Sequence, residues 1–388
     1  MQNVASVDPV LRSLEKGSPL GEFAVAHASG DSVSRMLLDC LGQLECAPEQ
    51  ATLGLVYLSS SLIDEFDSLL EQLQRAMPRV NWIGATVDTV MAGCAEHRDA
   101  PAMALMVGDV AVDQFRILAG VRKSLSGRLA SIQGWRRRNG TSGALVHGDA
   151  ANPMTPDMIG ELGQYLGKLP LIGGLMGRRQ PGLQVAVSVI SGGVSGVLFG
   201  RDIDVFSGRA LGCSPVGLPR VITRMAGGEI FEIDNRPALD VLFEEAGELL
   251  SRDLDRLMNY ICPAFAAGEG AIEYLPAEFL AIDPVRRSFK VGESIALSGE
   301  LRFYRRDGDA AWRHFDDMLL QAVERTRGRT IRAGVFIGSQ IPHGSAGTEL
   351  AAIRAALGQF PLIGYRSDGD VYNGRRFNHT SVLTLLID

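Results

Sequence analysis

Three of the six histidines lie beside apolar segments that are typical of buried strands. His147 is near the end of segment 143–148, His343 follows segment 333–338, and His379 directly precedes the apolar C-terminal segment. Imidazole nitrogens bind metals and exchange protons near neutral pH. Because α/β proteins bind ligands at the carboxyl ends of their strands, these side chains are the first candidates for a functional site. The remaining histidines lie in polar or helix-surface contexts: His27, His97 and His314.

The five cysteines are scattered, and no two of them form a CxxC pair. This spacing predicts neither a structural zinc site nor a disulfide framework. Cys213 could act as a nucleophile, but thiol catalysis needs an oriented base, and no neighbouring residue supplies one. The glycine pairs at 192–193 and 227–228 do not form a phosphate-binding loop. The sequence therefore favours a binding protein over an enzyme.

A nine-residue stretch is written almost identically at two places. LGKLPLIGG occupies residues 166–174, and LGQFPLIGY occupies residues 357–365. Each copy follows an apolar strand and an amphipathic helix, and a weaker third copy runs through 53–85. In each clear copy, glycine can end the helix, proline prevents its continuation, and the Leu-Ile pair begins a buried strand. Such units predict parallel strand-helix-strand crossovers.

The second strand of each unit is predicted to end at a glycine. These glycines are Gly84, Gly173 and Gly364. A residue without a side chain lets the backbone approach a neighbouring group closely. We therefore expect these positions to lie near whatever binds at the strand ends.

Between and after these units the pattern changes to hairpins, at 102–117, 183–199 and 221–233. Asn235 and Pro237 then suit the start of a helix, which predicts a domain boundary near residue 234. The predicted fold class is α/β, with two related domains of mixed β-sheet and flanking helices, built from duplicated strand-helix-strand units. The strand 381–387 is expected to close the second domain.

The composition is that of a globular chain of 388 residues, with a net charge of -7 and a pI near 5.5. An acidic chain lacks the clustered cations that neutralise nucleic-acid phosphates. Charged residues interrupt the N-terminal segment, and polar and glycine residues break the longest apolar run, 183–200. We therefore expect no signal peptide, no membrane helix and a cytoplasmic location.

Two segments resemble a known family. The stretch LGCSPVGLPRVITRMAGGEIFEIDNRPALDVL, residues 211–242, is similar to the junction segment of FIST proteins, and FPLIGYRSDGDVYNGRRFNHTSVLTLL, residues 360–386, resembles the closing motif of the FIST C domain. The resemblance implies a lead segment at 1–32, a FIST N domain at 33–234 and a FIST C domain at 235–388. The chain departs from the family at 338–343, where a Cys and an Arg are common, and at Asp370, where Glu is usual.

The resemblance implies a ligand-sensing protein rather than an enzyme. Stand-alone FIST proteins of similar length include nitric-oxide-sensing haem proteins, the NosP group. By that similarity the cofactor is haem, the signal is nitric oxide or haem itself, and the regulated partner is a histidine kinase or a cyclic-di-GMP synthase or phosphodiesterase.

Haem requires an iron ligand, apolar walls and cations for its propionates. The predicted ligand is His379, which lies between Asn378 and Thr380 in the closing motif. Cys262 precedes a proline, as in thiolate motifs of some haem-responsive proteins, and Tyr260 is close in sequence. Alternative iron ligands are therefore His343, His147 and Cys262. The predicted cofactor-binding residues are Gly364, Tyr365, Arg375, Arg376, Asn378, Thr380 and His379.

Two other functions remain open. The same fold could bind a small metabolite such as an amino acid, through the Gly364 amide and the side chains of Asp370, Asn378 and Thr380. The chain could also be an adaptor that docks a kinase and binds no small molecule. The sequence leaves the oligomeric state open, a homo-oligomer included.

Overall fold

The structure is a computed structural model, and it describes residues 20–44, 49–98, 100–177, 182–266, 274–291, 299–339, 347–378 and 380–388. It confirms a mixed α/β fold with several mixed sheets and flanking helices. Two of the candidate iron ligands, His343 and His379, lie outside the described residues. No helix within the described ranges combines the length and the apolar character needed to span a bilayer.

The chain builds the same arrangement of strands and helices three times, so the weak first copy in the sequence is a true repeat. The first repeat comprises β1 (Leu20–Ser29), α1 (Val33–Gln43), β2 (Leu53–Ser59), a 3-10 helix (Ser60–Glu65), α2 (Phe66–Ala76), β3 (Asn81–Val87), β4 (Val90–Ala92), β5 (Ala95–His97) and β6 (Ala102–Val110). The second comprises β7 (Phe115–Val121), α3 (Ser126–Asn139), β8 (Gly143–Asp149), α4 (Thr155–Leu166), β9 (Leu171–Met176), β10 (Leu183–Ala186), β11 (Ser188–Ser191) and β12 (Val194–Phe199).

The third repeat begins with one strand, is interrupted by an inserted segment, and then continues. The inserted segment holds β14 (Cys213–Ala226), β15 (Glu229–Ile233), β16 (Arg236–Pro237), α5 (Ala238–Ala246), α6 (Glu248–Ser251), α7 (Leu254–Tyr260), β17 (Ile261–Ala266), β18 (Tyr274–Pro276), β19 (Phe279–Asp283), β20 (Ser288–Val291) and β21 (Glu300–Arg306). The repeat itself comprises β13 (Asp204–Leu211), α8 (Gly308–Thr326), β22 (Ile331–Ser339), α9 (Thr348–Leu357), β23 (Leu362–Ser367), β24 (Gly369–Tyr372), β25 (Arg375–Phe377) and β26 (Thr380–Ile387).

Each repeat contributes one parallel pair of strands, as predicted: β2 with β3, β8 with β9, and β22 with β23. These strands are buried along nearly their whole length, which explains their continuous apolar sequences. The amphipathic helices cover the outer faces, and α1 and α8 begin at the side-chain caps Ser32 and Asp307. A shared apolar core lies between the three sheets.

The repeats are joined by an exchange of hairpins. Hairpin β4–β5 of the first repeat pairs with β23 of the third, β10–β11 of the second pairs with β3 of the first, and β24–β25 of the third pairs with β9 of the second. Each six-stranded sheet described here therefore contains strands from two repeats. Because every repeat lends a hairpin to another, the three form a closed cycle of pairing.

The three repeated glycines serve this sheet packing. A Cβ atom on Gly84, Gly173 or Gly364 would lie 1.8, 2.0 or 1.9 Å from a carbonyl oxygen of the adjacent parallel strand. The prediction that strands end at these glycines was wrong, because β3, β9 and β23 continue for three more residues. Glycine is required at these positions because a backbone carbonyl of the neighbouring strand approaches them closely.

The boundary predicted near residue 234 stays a prediction. In the structure β13 pairs with β26, and β14 pairs with β21, so strands from both sides of this position share sheets. The inserted segment has its own core, in which α5 packs on the sheet that contains β14, β15 and β21.

Candidate functional site

Three aromatic side chains meet in the core that the three sheets share. Tyr57 of β2, His147 of β8 and Tyr365 of β23 are fully buried, with ring centroids 4.7 to 6.0 Å apart. The Tyr57 hydroxyl is 3.0 Å from His147 Nε2, and His147 Nδ1 has no hydrogen-bond partner in the described structure. Burial lowers the pKa of His147 to about 3, so the imidazole is neutral. This group is part of the core and does not face solvent.

The position two residues beyond each repeated glycine distinguishes the third repeat from the others. The strand register makes Thr86, Leu175 and Arg366 equivalent. All three strands are buried there, and the Arg366 side chain has no solvent exposure. A guanidinium thus occupies a site that the same scaffold fills with a hydroxyl or an isobutyl group elsewhere.

Two carboxylates surround Arg366. Its guanidinium makes two hydrogen bonds of 3.1 Å to Glu96 of the exchanged hairpin and lies 2.5 Å from Glu349 in the first turn of α9. Ser381 donates a hydrogen bond of 3.2 Å to Glu349. Both glutamate side chains are almost completely buried. We call Arg98, Glu96, Glu349 and Arg366 the ionic cluster.

Glu96 is held as an anion. Burial by itself would raise its pKa, but Arg366, the backbone N–H of Gly347 and Arg98 lower it to about 2. Gly347 donates to Glu96 at 2.8 Å, and Arg98, which is 32% exposed, pairs with it at 2.8 Å. The cluster therefore extends from the buried Arg366 to a cation that reaches solvent.

Asp370 lies near the ionic cluster and is also fully buried. It accepts hydrogen bonds from Ser367 and, at 2.6 Å, from Thr380. Burial raises the pKa of Asp370 to about 7, although these hydrogen bonds and Arg366 act in the opposite direction. The equivalent residues are Val90 and Gln184, so a carboxyl group is found here only in the third repeat.

The edge strand β1 of one sheet also contacts β5, the edge strand of another sheet, and the other two repeats have equivalent contacts. His27 of β1 and His97 of β5 are 2.9 Å apart between ring nitrogens. At the equivalent contacts, Gly120 faces Ile190, and the Arg209 guanidinium lies 4.3 Å from the centre of the Phe377 ring. Burial lowers the pKa of both histidines, and His27 lowers that of His97 further.

The predicted site residues do not all share one environment. Thr380 donates a hydrogen bond to Asp370, and Asn378 accepts a weak hydrogen bond of 3.5 Å from Arg376. Gly364 is paired on both sides, with β22 and β4. Tyr365 lies in the shared core, and Arg375 is exposed.

Sequence reasoning missed the ionic cluster. Arg366 directly follows the repeated PLIG motif and a tyrosine, so a charged residue within an apolar strand was the available signal. Glu96 could not be found this way, because its partner lies 270 residues further along the chain.

Comparison with known proteins agrees with part of the resemblance seen in the sequence. An uncharacterized protein of Mycobacterium bovis and one of Mycobacterium tuberculosis are each 26% identical over 366 residues, which cover 89% of this chain and 92% of the relative. Another uncharacterized protein of M. tuberculosis is 26% identical over 350 residues, covering 84% of this chain and 88% of the relative. The FIST C resemblance of residues 235–388 stays a prediction. Residues 52–236 are similar to the FIST N domain.

Proposed function

We propose that this protein is a sensor that binds a small polar metabolite, such as an amino acid, at the ionic cluster and Asp370. One observation carries the proposal: Arg366 is buried between two glutamates at a position where the other repeats hold Thr86 and Leu175. Since the scaffold forms without charges at that position, the ionic groups serve something other than folding.

The energetics support this interpretation. Removing ions from water costs several kcal/mol per ion, and apolar residues of similar volume often replace a buried ion pair without loss of stability. A protein that keeps such a cluster in one repeat of three departs from its own structural pattern, and departures of this kind concentrate at functional sites. The location at the ends of β22 and β23 agrees with the place where α/β sheets bind ligands.

The charges suit a ligand with both an ammonium and a carboxylate group. Glu96 and Glu349 balance Arg98 and Arg366 in formal charge, so a neutral zwitterion adds no net charge to the site. The carboxyl groups of Glu349 and Asp370 would accept hydrogen bonds from an ammonium group. The partly exposed guanidinium of Arg98 would bind a carboxylate.

A ligand bound at the ionic cluster would contact or affect elements of more than one repeat. The cluster joins β5 of the first repeat to β23 and α9 of the third. A ligand that bound one arrangement of these contacts better than another would shift the population between them. The proposed output is an altered interaction with a histidine kinase or a cyclic-di-GMP enzyme.

Haem-based sensing of nitric oxide, through His379, is the second proposal. The described alternative ligands do not fit haem: His147 is sealed in the shared core, and Cys262 is buried in the inserted segment. Thr380, next to His379 in the sequence, is hydrogen-bonded to Asp370, which also accepts from Ser367, whereas the macrocycle requires apolar walls. Arg375 and Arg376 favour haem, because they could pair with propionates. We therefore place the small polar ligand first.

The test is a thermal-shift screen of the purified protein with the amino acids, small dicarboxylates and hemin. We expect at least one amino acid to raise the melting temperature of the wild type. The effect should be lost in Arg98→Gln and Glu349→Gln and kept in Arg75→Gln, where an exposed Arg-Glu pair is removed instead.

Two results would count against the proposal. A Soret band on hemin addition, without stabilisation by any amino acid, would favour haem. If neither class of ligand binds and a kinase co-purifies with the protein regardless of additions, the adaptor function is favoured.

A further inference from the structure

A cavity lies where the first repeat meets the hairpin that it receives from the second repeat. Its volume is about 160 Å³, and α2, β3 and β7 form its walls together with the turn between β10 and β11. Its lining includes Leu70, Gln74, Val80, Trp82, Ile117 and Val187. Within the described chain, neither a charged side chain nor a residue of the ionic cluster lines it. We call it the Trp82 cavity.

Trp82 brings an unused hydrogen-bond donor to this cavity. Its side chain is only 3% exposed, and its indole nitrogen Nε1 has no hydrogen-bond partner in the described structure. The ring packs against Gly54 of β2, where an added Cβ would lie 2.6 Å from the ring atoms Cε3 and Cζ3. Because Nε1 is on the opposite edge of the indole, it points away from β2, toward the β10–β11 hairpin on the other side of β3. A buried donor without an acceptor costs free energy, so an acceptor is expected there.

The turn between β10 and β11 departs from the other two exchanged hairpins. The strand pairing makes Gly93, Val187 and Asn373 equivalent, and their φ angles are 60°, 76° and 50°. Glycine and asparagine adopt this left-handed conformation readily, whereas a β-branched residue rarely does. Val187 is also 69% exposed, so burial does not explain the valine either. Strained residues of this kind concentrate at ligand sites, and this one lines the Trp82 cavity.

The other two repeats fill the equivalent space between helix and turn. Counted from the repeated glycine, the helix residue at this place is Gln74, Gly163 or Arg354. A Cβ on Gly163 would lie 2.6 Å from the Cα of Gly374, so helix and turn are in direct contact in that repeat. In the third repeat, the Arg354 guanidinium lies 5.2 Å from the centre of the Phe360 ring, whose equivalent in the first repeat is the smaller Val80. The unpartnered donor, the strained valine and the open space thus occur together in the first repeat.

We propose that the Trp82 cavity binds a small neutral carbonyl compound, such as a five-membered lactam or lactone, whose oxygen accepts a hydrogen bond from Trp82 Nε1. The size follows from the volume, because a cavity of about 150 Å³ holds a benzene-sized molecule. The lining contains no charged group, and burying an unpaired charge is costly, so the ligand is uncharged. Leu70 and Ile117 contact its ring, and Val187 covers it from the solvent side.

NMR spectroscopy of the ¹⁵N-labelled full-length protein tests this site directly, because each tryptophan gives its own indole N–H signal. Trp135 Nε1 already donates to the carbonyl oxygen of Asp113 at 3.0 Å. We expect cyclopentanone and γ-butyrolactam to move the Trp82 signal downfield until it saturates, and to leave the signals of Trp135 and Trp312 in place. Methylenecyclopentane has nearly the same shape but no carbonyl oxygen, and it should cause no such downfield shift.

Two variants change the cavity without removing its donor. Val80→Phe copies Phe360 of the third repeat and should fill the cavity, so the response to the carbonyl compounds should be lost. Val187→Asn copies Asn373 and removes an apolar wall. It should weaken binding by about 10-fold or more, because even one methylene group in an apolar pocket has an effect of that size. Val112→Asn, at another exposed valine, is the matched control and should leave the affinity unchanged.

Trp82→Phe, Trp135→Phe and Trp312→Phe assign the three signals, so the assignment does not depend on the folding of any one variant. The proposal is overturned if no carbonyl compound moves the Trp82 signal of the wild type, or if methylenecyclopentane moves it equally. It is also overturned if Val80→Phe, shown by circular dichroism to be folded, responds like the wild type. Amino-acid binding at the ionic cluster should be unaffected by these variants, so this outcome is independent of the proposed sensor function.

Discussion

The second and third repeats build the same scaffold from different residues, and the difference separates folding from function. In the second repeat, the residue two positions beyond the repeated glycine is Leu175, which packs in an apolar cluster. In the third, the equivalent Arg366 is surrounded by Glu96 and Glu349. Features common to the repeats, such as the glycines that admit a neighbouring carbonyl, are requirements of the fold. Features confined to the third repeat are candidates for function.

The first prediction concerns what the repeats share. Replacing Gly84, Gly173 or Gly364 by Ala should destabilise the protein strongly and to a similar extent, because each new methyl group would overlap a backbone carbonyl. We expect a loss of about 3 kcal/mol or more in the free energy of unfolding. Urea denaturation measures this loss. Gly160→Ala, on an open face of α4, is the control and should cost nothing. A mild effect at any one of the three positions would break the equivalence of the repeats.

The second prediction concerns what the third repeat alone contains. Arg366→Leu should cost about 3 to 5 kcal/mol, because it leaves two buried carboxylates without their cation. The triple variant Glu96→Val, Glu349→Met, Arg366→Leu should recover most of this stability, since the substitutions at 96 and 366 copy Val189 and Leu175 of the second repeat. Denaturation curves of both variants measure the free energies of unfolding that are to be compared. If the triple variant is no more stable than the single one, the ionic cluster is needed for folding.

Asp370 gives a prediction about pH. Its pKa in the folded protein, about 7, is above the usual 3.8, so folding favours its protonated form. Its contribution to stability is therefore complete below about pH 4 and is lost as the pH rises to 7. The stability of Asp370→Asn relative to the wild type should therefore be greater at pH 8 than at pH 5. We expect the difference to be a few kcal/mol, since one pKa unit corresponds to about 1.4 kcal/mol. Equal differences between the variant and the wild type at both pH values would show that Asp370 ionises normally.

The smallest expected effect is at the contact between His27 and His97. Their lowered pKa values mean that the folded state disfavours protonation, so stability is lost as the pH falls below about 6.5. His97→Phe copies Phe377 of the third repeat and should change the free energy of unfolding by about 1 kcal/mol or less at pH 8. It should reduce the loss at pH 5. An unchanged pH profile would show that the two histidines do not contribute to the pH dependence of stability.

The sequence predicted the parallel strand-helix-strand units because their signals are local. Helix periodicity, the glycine stop, proline and an apolar strand all lie within each PLIG repeat. The exchange of hairpins could not be predicted, because β4, β10 and β24 pair with strands of another repeat that are distant in sequence, and no local signal marks those partners. The full third repeat could not be recognised in the sequence either, since the inserted segment separates β13 from the other elements of that repeat by about a hundred residues.

For the site, the sequence led to the right region but emphasised different side chains. Thr380 and Asp370, both named as contacts for a metabolite, do lie together. His379 was favoured because of a family motif, and it lies outside the described residues. Arg366 was passed over although it stands one residue after Tyr365. Its importance depends on burial and on Glu96, which only the folded chain brings to it.

The central claim is that the ionic cluster binds a ligand and is not required for folding. Isothermal titration calorimetry with the amino acid that most stabilises the wild type should be performed on the wild type and on the triple variant Glu96→Val, Glu349→Met, Arg366→Leu. We expect the triple variant to melt cooperatively near the wild-type temperature and to give no binding heat. The control Ser195→Ala should bind normally, because it removes only a buried hydroxyl that donates to Gln184, the residue of the second repeat equivalent to Asp370. Binding of the same affinity to the folded triple variant would contradict the central claim.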